Sequence, residues 1–398
     1  MRIGMMADTY KPHVSGITHH IELSKRYLEK AGHRVYVFTF GETDREDDEP
    51  NIIRSPGFPL VDTGYYFSFR YSPQAKKLLQ TMDVVHVHHP FLSGRLALRY
   101  CRPLRIPIVF TNHTRYDLYA QAYLPMVPEE VSKTLLQTYL PSFCAAVDLV
   151  ISPSPSVAKV LRELGVEGHI EIVPNGVDLE RFHRAEPLPR ADFGFRAEDI
   201  LIAYVGRLGP EKNLPLLLQA FFGAAEVLPE IHLLLLGDGP EKERLEGMAA
   251  GSHCAERVHF LGMISYEKLP SYLAMCDLFA TASVTEVHPL SVIEAMGAGL
   301  PVVGVNAPGV GDTVEDGVTG LLTSEDAAAL AAGITRLCLQ DDARRAMGEA
   351  ARQASTQYSI ERTTRIMLSH YERLVYTAAP HQQSLRVRLQ GFLERFRR

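Results

Sequence analysis

Glu286 and Glu294 stand in the segment Thr285-Glu286-Val287-His288-Pro289-Leu290-Ser291-Val292-Ile293-Glu294-Ala295-Met296-Gly297-Ala298-Gly299. The stretch reads as the end of a strand over Leu278–Ala282, a short loop, and a helix that opens near Leu290 and stops at Gly299. A second strand follows over Pro301–Val305. One carboxylate is then on a loop at the carboxyl edge of a sheet, where open α/β sheets bind ligands. The other is near the start of the following helix. Helix N-termini favour anions such as phosphate, and a carboxylate beside one accepts hydrogen bonds from paired hydroxyls. A sugar nucleotide offers both a diphosphate and diols. On these two residues alone, a dipole-compensating Glu294 and a solvated Glu286 account for the pattern equally well.

A second segment weighs toward chemistry. Gly206-Arg207-Leu208-Gly209-Pro210-Glu211-Lys212-Asn213 directly follows the strand Ile202–Val205. Arg207 and Lys212 thus leave a strand's carboxyl edge on one glycine- and proline-bearing loop. If Glu286 marks the same edge of the same sheet, two fixed cations meet where a departing diphosphate would sit. Preorganised cations stabilise such developing charge where water is excluded. The sequence holds no Asp-x-Asp pair to carry a divalent metal, so the two side chains would take its place.

In the first half, Asp8-Thr9-Tyr10-Lys11-Pro12-His13-Val14-Ser15-Gly16-Ile17 follows the first strand and opens a helix. Gly16 lets backbone approach a phosphate closely, and equally suits a plain turn. Histidines crowd two places. His86, His88 and His89 close a strand. His86 and His88 share a face with no acidic ligand close by, so they read as structural or cleft-lining residues and no metal site is expected. His113 follows the strand Ile108–Thr111.

The elements that must position these residues alternate along the chain. Strands are expected at Arg2–Met6, Arg34–Phe40, Val84–Val87, Ile108–Thr111, Leu149–Ser152 and Ile170–Val173, with helices at Thr18–Ala31, Pro73–Gln80 and Ser156–Leu164. The rhythm continues through strands Ile200–Val205, His232–Leu236, Val258–Phe260 and Leu278–Ala282, and helices Leu214–Leu228, Lys242–Ala249 and Leu269–Ala274. This is the pattern of doubly wound parallel sheets with helical crossovers. A length of 398 residues suits two such units, with a break near Pro174–Pro189 and the active site expected in a cleft between them.

Composition sets the class. Apolar residues make up 46% and charged residues 22%, ordinary for a globular protein with a sizeable core. No apolar run is long enough to span a membrane, and Met1 leads straight into a strand with no signal peptide. Five scattered cysteines, with no Cys-x-x-Cys pair, argue against a disulfide framework and for a reducing cytoplasm. The net charge of −6 hides an asymmetry: residues 201–350 carry 9 Lys/Arg against 20 Asp/Glu, while residues 351–398 carry 9 against 3. That balance fits poorly with duplex-DNA binding and better with local contact with an anionic surface. Leu385, Leu389, Phe392, Leu393 and Phe396 recur at helical spacing among Arg386, Arg388, Arg395, Arg397 and Arg398. Such a basic amphipathic helix lies in a membrane interface or packs its stripe on the protein body.

The string Val205–Asn213, the pair Glu286/Glu294 and Gly297-Ala298-Gly299-Leu300-Pro301-Val302-Val303 resemble the retaining glycosyltransferases of family 4, which have the GT-B fold. Val173-Pro174-Asn175-Gly176-Val177-Asp178 and Asp316-Gly317-Val318-Thr319-Gly320-Leu321 match further family segments, so that the resemblance covers roughly residues 1–375. It implies two Rossmann-like domains facing across a cleft. The acceptor-binding domain would be 1–178 and the nucleotide-sugar domain 179–358, with a helix over 359–380 packing back on the first and a basic tail over 381–398. By similarity Arg207 and Lys212, on the Gly206 loop, bind the donor diphosphate. Glu294 holds the ribose hydroxyls, Glu286 contacts the donor sugar, and the amides of Leu290 and Ser291 meet the phosphates. His288-Pro289 departs from the family's usual Phe-Gly or Gln-Gly pair, and proline removes one N–H donor. The segment at Gly16 resembles that of members with lipid acceptors. The segment His113-Thr114-Arg115-Tyr116-Asp117-Leu118-Tyr119 resembles the His-Thr-x-Tyr-x-x-Tyr stretch of diacylglycerol glucosyltransferases, which implies His113 at the donor sugar.

The expected function is a metal-independent, retaining hexosyltransferase, moving glucose from UDP-glucose to a lipid hydroxyl such as that of diacylglycerol. It would be cytoplasmic and held peripherally on the inner face of the membrane, with no nucleic-acid partner and no cofactor beyond the donor. Rival readings are a soluble sugar, phosphoinositol or polysaccharide acceptor, a UDP-sugar epimerase of the same fold, and a two-lobed binding protein. The last has no need for leaving-group cations.

Overall fold

The computed structural model describes residues 1–13, 15–59, 66–118 and 129–382. Its strands, in chain order, are β1 (Arg2–Met6), β2 (Arg34–Phe40), β3 (Ile52–Ser55), β4 (Phe58–Pro59), β5 (Tyr66–Phe67), β6 (Val84–Val87), β7 (Ile108–Thr111), β8 (Leu149–Ser152) and β9 (Ile170–Ile172). In the second half follow β10 (Ile200–Val205), β11 (Ile231–Leu236), β12 (Val258–Gly262), β13 (Leu278–Thr281), β14 (Val302–Val305) and β15 (Gly320–Thr323). Among the described residues β1–β3 and β6–β9 form a parallel sheet of order β3-β2-β1-β6-β7-β8-β9. A second parallel sheet has the order β12-β11-β10-β13-β14-β15, and β4 and β5 pair as a small antiparallel ribbon.

Successive strand residues feed opposite faces, and both faces are apolar. Met6, Phe38, Val85, Val87 and Phe110 enter one core of the first sheet, while Met5, Val37, Val84, Val109 and Ile151 enter the other. The second sheet repeats this, with Ile202, Leu233, Leu235 and Ala280 on one side and Leu201, Ala203, Leu234 and Phe279 on the other. Strands buried on both faces read as continuous apolar runs rather than alternation, as parallel sheets require.

The chain divides into two compact units. The first holds Met1–His113, Glu130–Gly176 and Ile360–Arg398, and the second holds Thr114–Glu129 and Val177–Ser359. The helix Ile360–Gln382 therefore belongs with the first unit, where it packs against the helix Gly16–Lys30 and buries Tyr371 in that unit's core. Thr114–Leu118 group with the second unit. All five cysteines are free thiols in buried positions. Among the described residues no helix is long and apolar enough to cross a membrane. Tyr65, Tyr119, Tyr123 and the arginine-bearing stretch 383–398 lie outside the described residues.

Candidate active site

In the second sheet the chain runs outward from β10 through β11 to β12, then returns to β10's other side to lay down β13, β14 and β15. The strand order therefore reverses between β10 and β13, and ligands of doubly wound sheets bind outside the carboxyl ends of strands at such a point. Both expected loops leave there, Gly206–Asn213 from β10 and Ala282–Pro289 from the adjacent parallel strand β13.

The β10 loop starts with a backbone crossing that only glycine permits. Gly206 and Gly237, at the ends of β10 and β11, have φ of +152° and +153°. A Cβ on Gly237 would lie 1.8 Å from the Gly206 carbonyl oxygen, closer than any side chain can come. The loop then presents an exposed Arg207, whose carbonyl accepts a 3.1 Å hydrogen bond from the Tyr204 hydroxyl. It tightens into the short 3₁₀ turn Pro210–Lys212. There the Lys212 ammonium donates to Glu286 Oε1 at 2.6 Å, with the two side chains 19% and 18% exposed. The loops are also tied through the backbone, since the Thr285 hydroxyl donates to the Glu211 carbonyl at 2.9 Å. Gly309 (φ +86°) backs the pair: a Cβ there would meet the Glu286 carbonyl oxygen at 2.5 Å and Glu286 Cβ at 3.0 Å.

The helix after this loop runs Leu290–Gly297, with Pro289 in extended conformation at its N-cap. Leu290 and Ser291 open its first turn, so their amides point toward the N-terminal end, where the macrodipole favours an anion. Glu294 follows one turn later and is only 4% exposed. Its partner environment includes Tyr266, whose hydroxyl is pushed well above its ordinary range by burial and then by the neighbouring Glu294 carboxylate. Asp178 adds to that push and the Arg181 guanidinium stacks 5.9 Å from the Tyr266 ring. His288 is buried edge-on against Tyr358, with ring centroids 4.8 Å apart. Gly206, Arg207, Lys212, Glu286, Leu290, Ser291 and Glu294 are thus all carried by the loops and helix at the β10/β13 switch.

The first sheet has its own reversal, between β1 and β6. Gly16 is the exposed first residue of the helix Gly16–Lys30, capped by the Ser15 hydroxyl, which accepts from the Thr18 amide at 3.2 Å. A Cβ on Gly16 would meet nothing within 4 Å, so neither packing nor backbone conformation requires glycine there. Asp8, just past β1, accepts from the Ser93 amide at 2.7 Å and the Ser93 hydroxyl at 2.6 Å. Its own amide donates to His89 Nδ1 at 3.2 Å.

His113 sits at the end of β7 within a stack of imidazoles. Its Nε2 shares a 3.0 Å hydrogen bond with His88 Nδ1, and its ring centroid is 4.7 Å from that of His20. Burial pushes both His88 and His113 well below the usual imidazole range, and the neighbouring histidines push the same way. Burial takes His20 to about 4 and His86 to about 3. These rings are therefore neutral at pH 7, and His113 can act as a hydrogen-bonding group without carrying charge. His86 is structural, bridging Tyr371 at 2.6 Å and Thr111 at 2.7 Å. His20, Tyr266 and Gly309 were not singled out by sequence reasoning. His20 looks like one more polar position on an amphipathic helix, and Tyr266 and Gly309 stand on loops with no motif around them.

Comparison with known proteins agrees with this arrangement. Residues 14–181 match the family described as Glycosyltransferase Family 4, and residues 187–354 match Glycosyl transferases group 1. An alpha-monoglucosyldiacylglycerol synthase of Streptococcus pneumoniae is 30% identical over 334 residues, 81% of this chain and 75% of that protein. One from Acholeplasma laidlawii is 28% identical over 343 residues, 82% of this chain and 85% of that protein. Among solved structures, a sucrose-phosphate synthase from Thermosynechococcus elongatus aligns with a TM-score of 0.78 at 24% identity, covering 94% of this chain and 99% of its own. That likeness speaks for the fold, two Rossmann-like units each built on a parallel sheet. With the family matches in both halves and a relative 30% identical over 81% of this chain, the chain belongs to the GT-B glycosyltransferases of the group 1/family 4 type.

Proposed function

We propose that this glycosyltransferase moves a glucosyl group from UDP-glucose to the free hydroxyl of diacylglycerol, with retention at the anomeric carbon and without a metal. The observation that carries the reading is the built pair Lys212–Glu286 at the β10/β13 switch point. It lies in a chain whose relatives at 28% and 30% identity are named for glucosylating diacylglycerol. Arg207 and Lys212 supply fixed positive charge for the leaving diphosphate, the amides of Leu290 and Ser291 add donors, and Glu294 takes the ribose hydroxyls. An ammonium has three donor hydrogens, so Lys212 can serve a phosphate oxygen while it holds Glu286.

In the step itself the bond between the anomeric carbon and the diphosphate oxygen breaks, and a bond from the same carbon to the lipid oxygen forms on the same face. The departing phosphate oxygen receives the lipid hydroxyl's proton. Neutral His113 donates a hydrogen bond to the sugar, and Glu286 orients it. A Glu286 carboxylate engaged by Lys212 is a weak nucleophile, which favours this route over a covalent glycosyl-enzyme. The test is transfer of labelled glucose from UDP-glucose to diacylglycerol in mixed vesicles with chelator present, beside a panel of other nucleotide sugars and soluble acceptors. Labelled glucosyldiacylglycerol formed in chelator is the expected result. An obligatory divalent ion would sink the role given to Arg207 and Lys212, and transfer confined to soluble acceptors would sink the lipid assignment.

A further inference from the structure

His20, His88 and His113 come from three different elements: the helix Gly16–Lys30, the end of β6 and the end of β7. One ring nitrogen from each lies within 4.8 Å of the others. His20 Nδ1 and His88 Nε2 are buried with no hydrogen-bond partner among the described residues. Buried polar atoms are normally satisfied, and an exception in a native core calls for a bound water or ion. The rings are neutral, as burial holds all three below the usual imidazole range, and a neutral imidazole is the form that ligates metal. No carboxylate belongs to the cluster, which disfavours magnesium and calcium, whereas imidazole suits zinc and its neighbours.

We propose that His20, His88 and His113 form a three-imidazole site for a zinc-class divalent ion, with a fourth coordination position left for water or an anion. Three protein nitrogens and one open position is the arrangement of accessible zinc sites rather than sealed structural ones. The site shares His113 with the transferase reading and uses neither Arg207 nor Lys212. Its existence does not rest on the transferase reading, since the metal can be measured with neither donor nor acceptor present. An ion held through His20 Nδ1 and His88 Nε2 supplies the partners that these two nitrogens lack.

The experiment titrates the full chain, stripped with chelator, with Co²⁺ as a spectroscopic stand-in for Zn²⁺. One equivalent should bind and give the intense visible absorption of four-coordinate cobalt, displaced by Zn²⁺. His20→Gln and His88→Gln should each weaken binding at least tenfold, with metal-free thermal unfolding checked to show that both fold. Should either variant fail to fold, imidazole nitrogen resonances of the unaltered protein replace it, and Zn²⁺ should shift those of three histidines, 20, 88 and 113. No stoichiometric binding, the weak absorption of six-coordinate cobalt, unchanged affinity in both folded variants, or shifts at other histidines would each overturn the site.

Discussion

Lys212 and Glu286 make their contact with four-fifths of each side chain covered, and charges held there interact more strongly than on an open surface. Removing one partner leaves the other poorly solvated, and it also removes a group assigned to the reaction. Lys212→Gln should lower kcat/KM by about 10²–10³, the usual cost of one preorganised electrostatic contact. Glu286→Gln should lower it by a similar factor. The double variant should lose clearly less than the product of the two, because the second change no longer strands a charge. Steady-state kinetics on the four proteins give the cycle, and strict additivity would mean that the two side chains act independently. At this scale the sequence was informative where residue type and strand-end position coincide. Arg207, Lys212 and Glu286 follow directly from their strands, and Glu294 from its place after a helix start. The partners were hidden because each is a contact made by a distant segment: Tyr266 reaches Glu294 from the loop after β12, and His20 reaches His113 from a helix 93 residues earlier in sequence.

The elements explain why these contacts hold. Two neighbouring parallel strands release their loops side by side, and backbone rather than side chains sets the spacing: Thr285 clips the β13 loop to Glu211, and Gly309 lets the following segment lie flat on Glu286. Gly309→Ala adds a methyl against the Glu286 backbone at a φ of +86°, where an L-residue is strained by roughly 1–3 kcal/mol. The expected outcome is a protein with a lower melting temperature and a disproportionate loss of activity, read by calorimetry beside donor kinetics. Unchanged activity would show that the loop can shift without cost. Central strands were legible in the sequence because apolar side chains on both faces make unbroken runs. β3 and β15, at sheet edges, escaped because Ile52-Ile53-Arg54-Ser55 and Gly320-Leu321-Leu322-Thr323 each hold only two adjacent apolar residues and so make no unbroken run. The helix Leu290–Gly297 stops where expected: Ala298 is its C-cap, and Gly299, at φ +85°, is the glycine past the cap that turns the chain toward β14.

For the molecule as a whole, the neutral histidines tie stability to pH. The unfolded chain protonates these rings near 6.5, whereas the folded state takes up protons at His20 only near 4 and at His86 only near 3. The unfolded state therefore binds more protons as pH falls from 7, and folding free energy declines below about 6.5. Denaturant unfolding at pH 7 and pH 5 should show a lower midpoint at pH 5. An equal or higher midpoint would contradict buried neutral rings.

Charge is also unevenly spread along the molecule, and this bears on how the proposed lipid acceptor would be met. Residues 381–398 carry five arginines against Glu394 alone, interleaved with Leu385, Leu389, Phe392, Leu393 and Phe396 at the spacing a helix would need to align them. Apolar insertion and attraction to anionic headgroups would act together in such a segment, each arginine near the surface contributing about 1 kcal/mol at modest salt. Deleting residues 383–398 should leave folding intact, as the core of the first unit is built from residues up to Val375. Flotation with vesicles containing anionic lipid should drop sharply in the truncated protein, and in the full chain it should weaken as salt rises, because screening acts within a Debye length. Transfer to diacylglycerol in vesicles should fall in parallel, while transfer to a detergent-dispersed acceptor should be retained. Equal flotation of both proteins would place the stripe against the protein body instead.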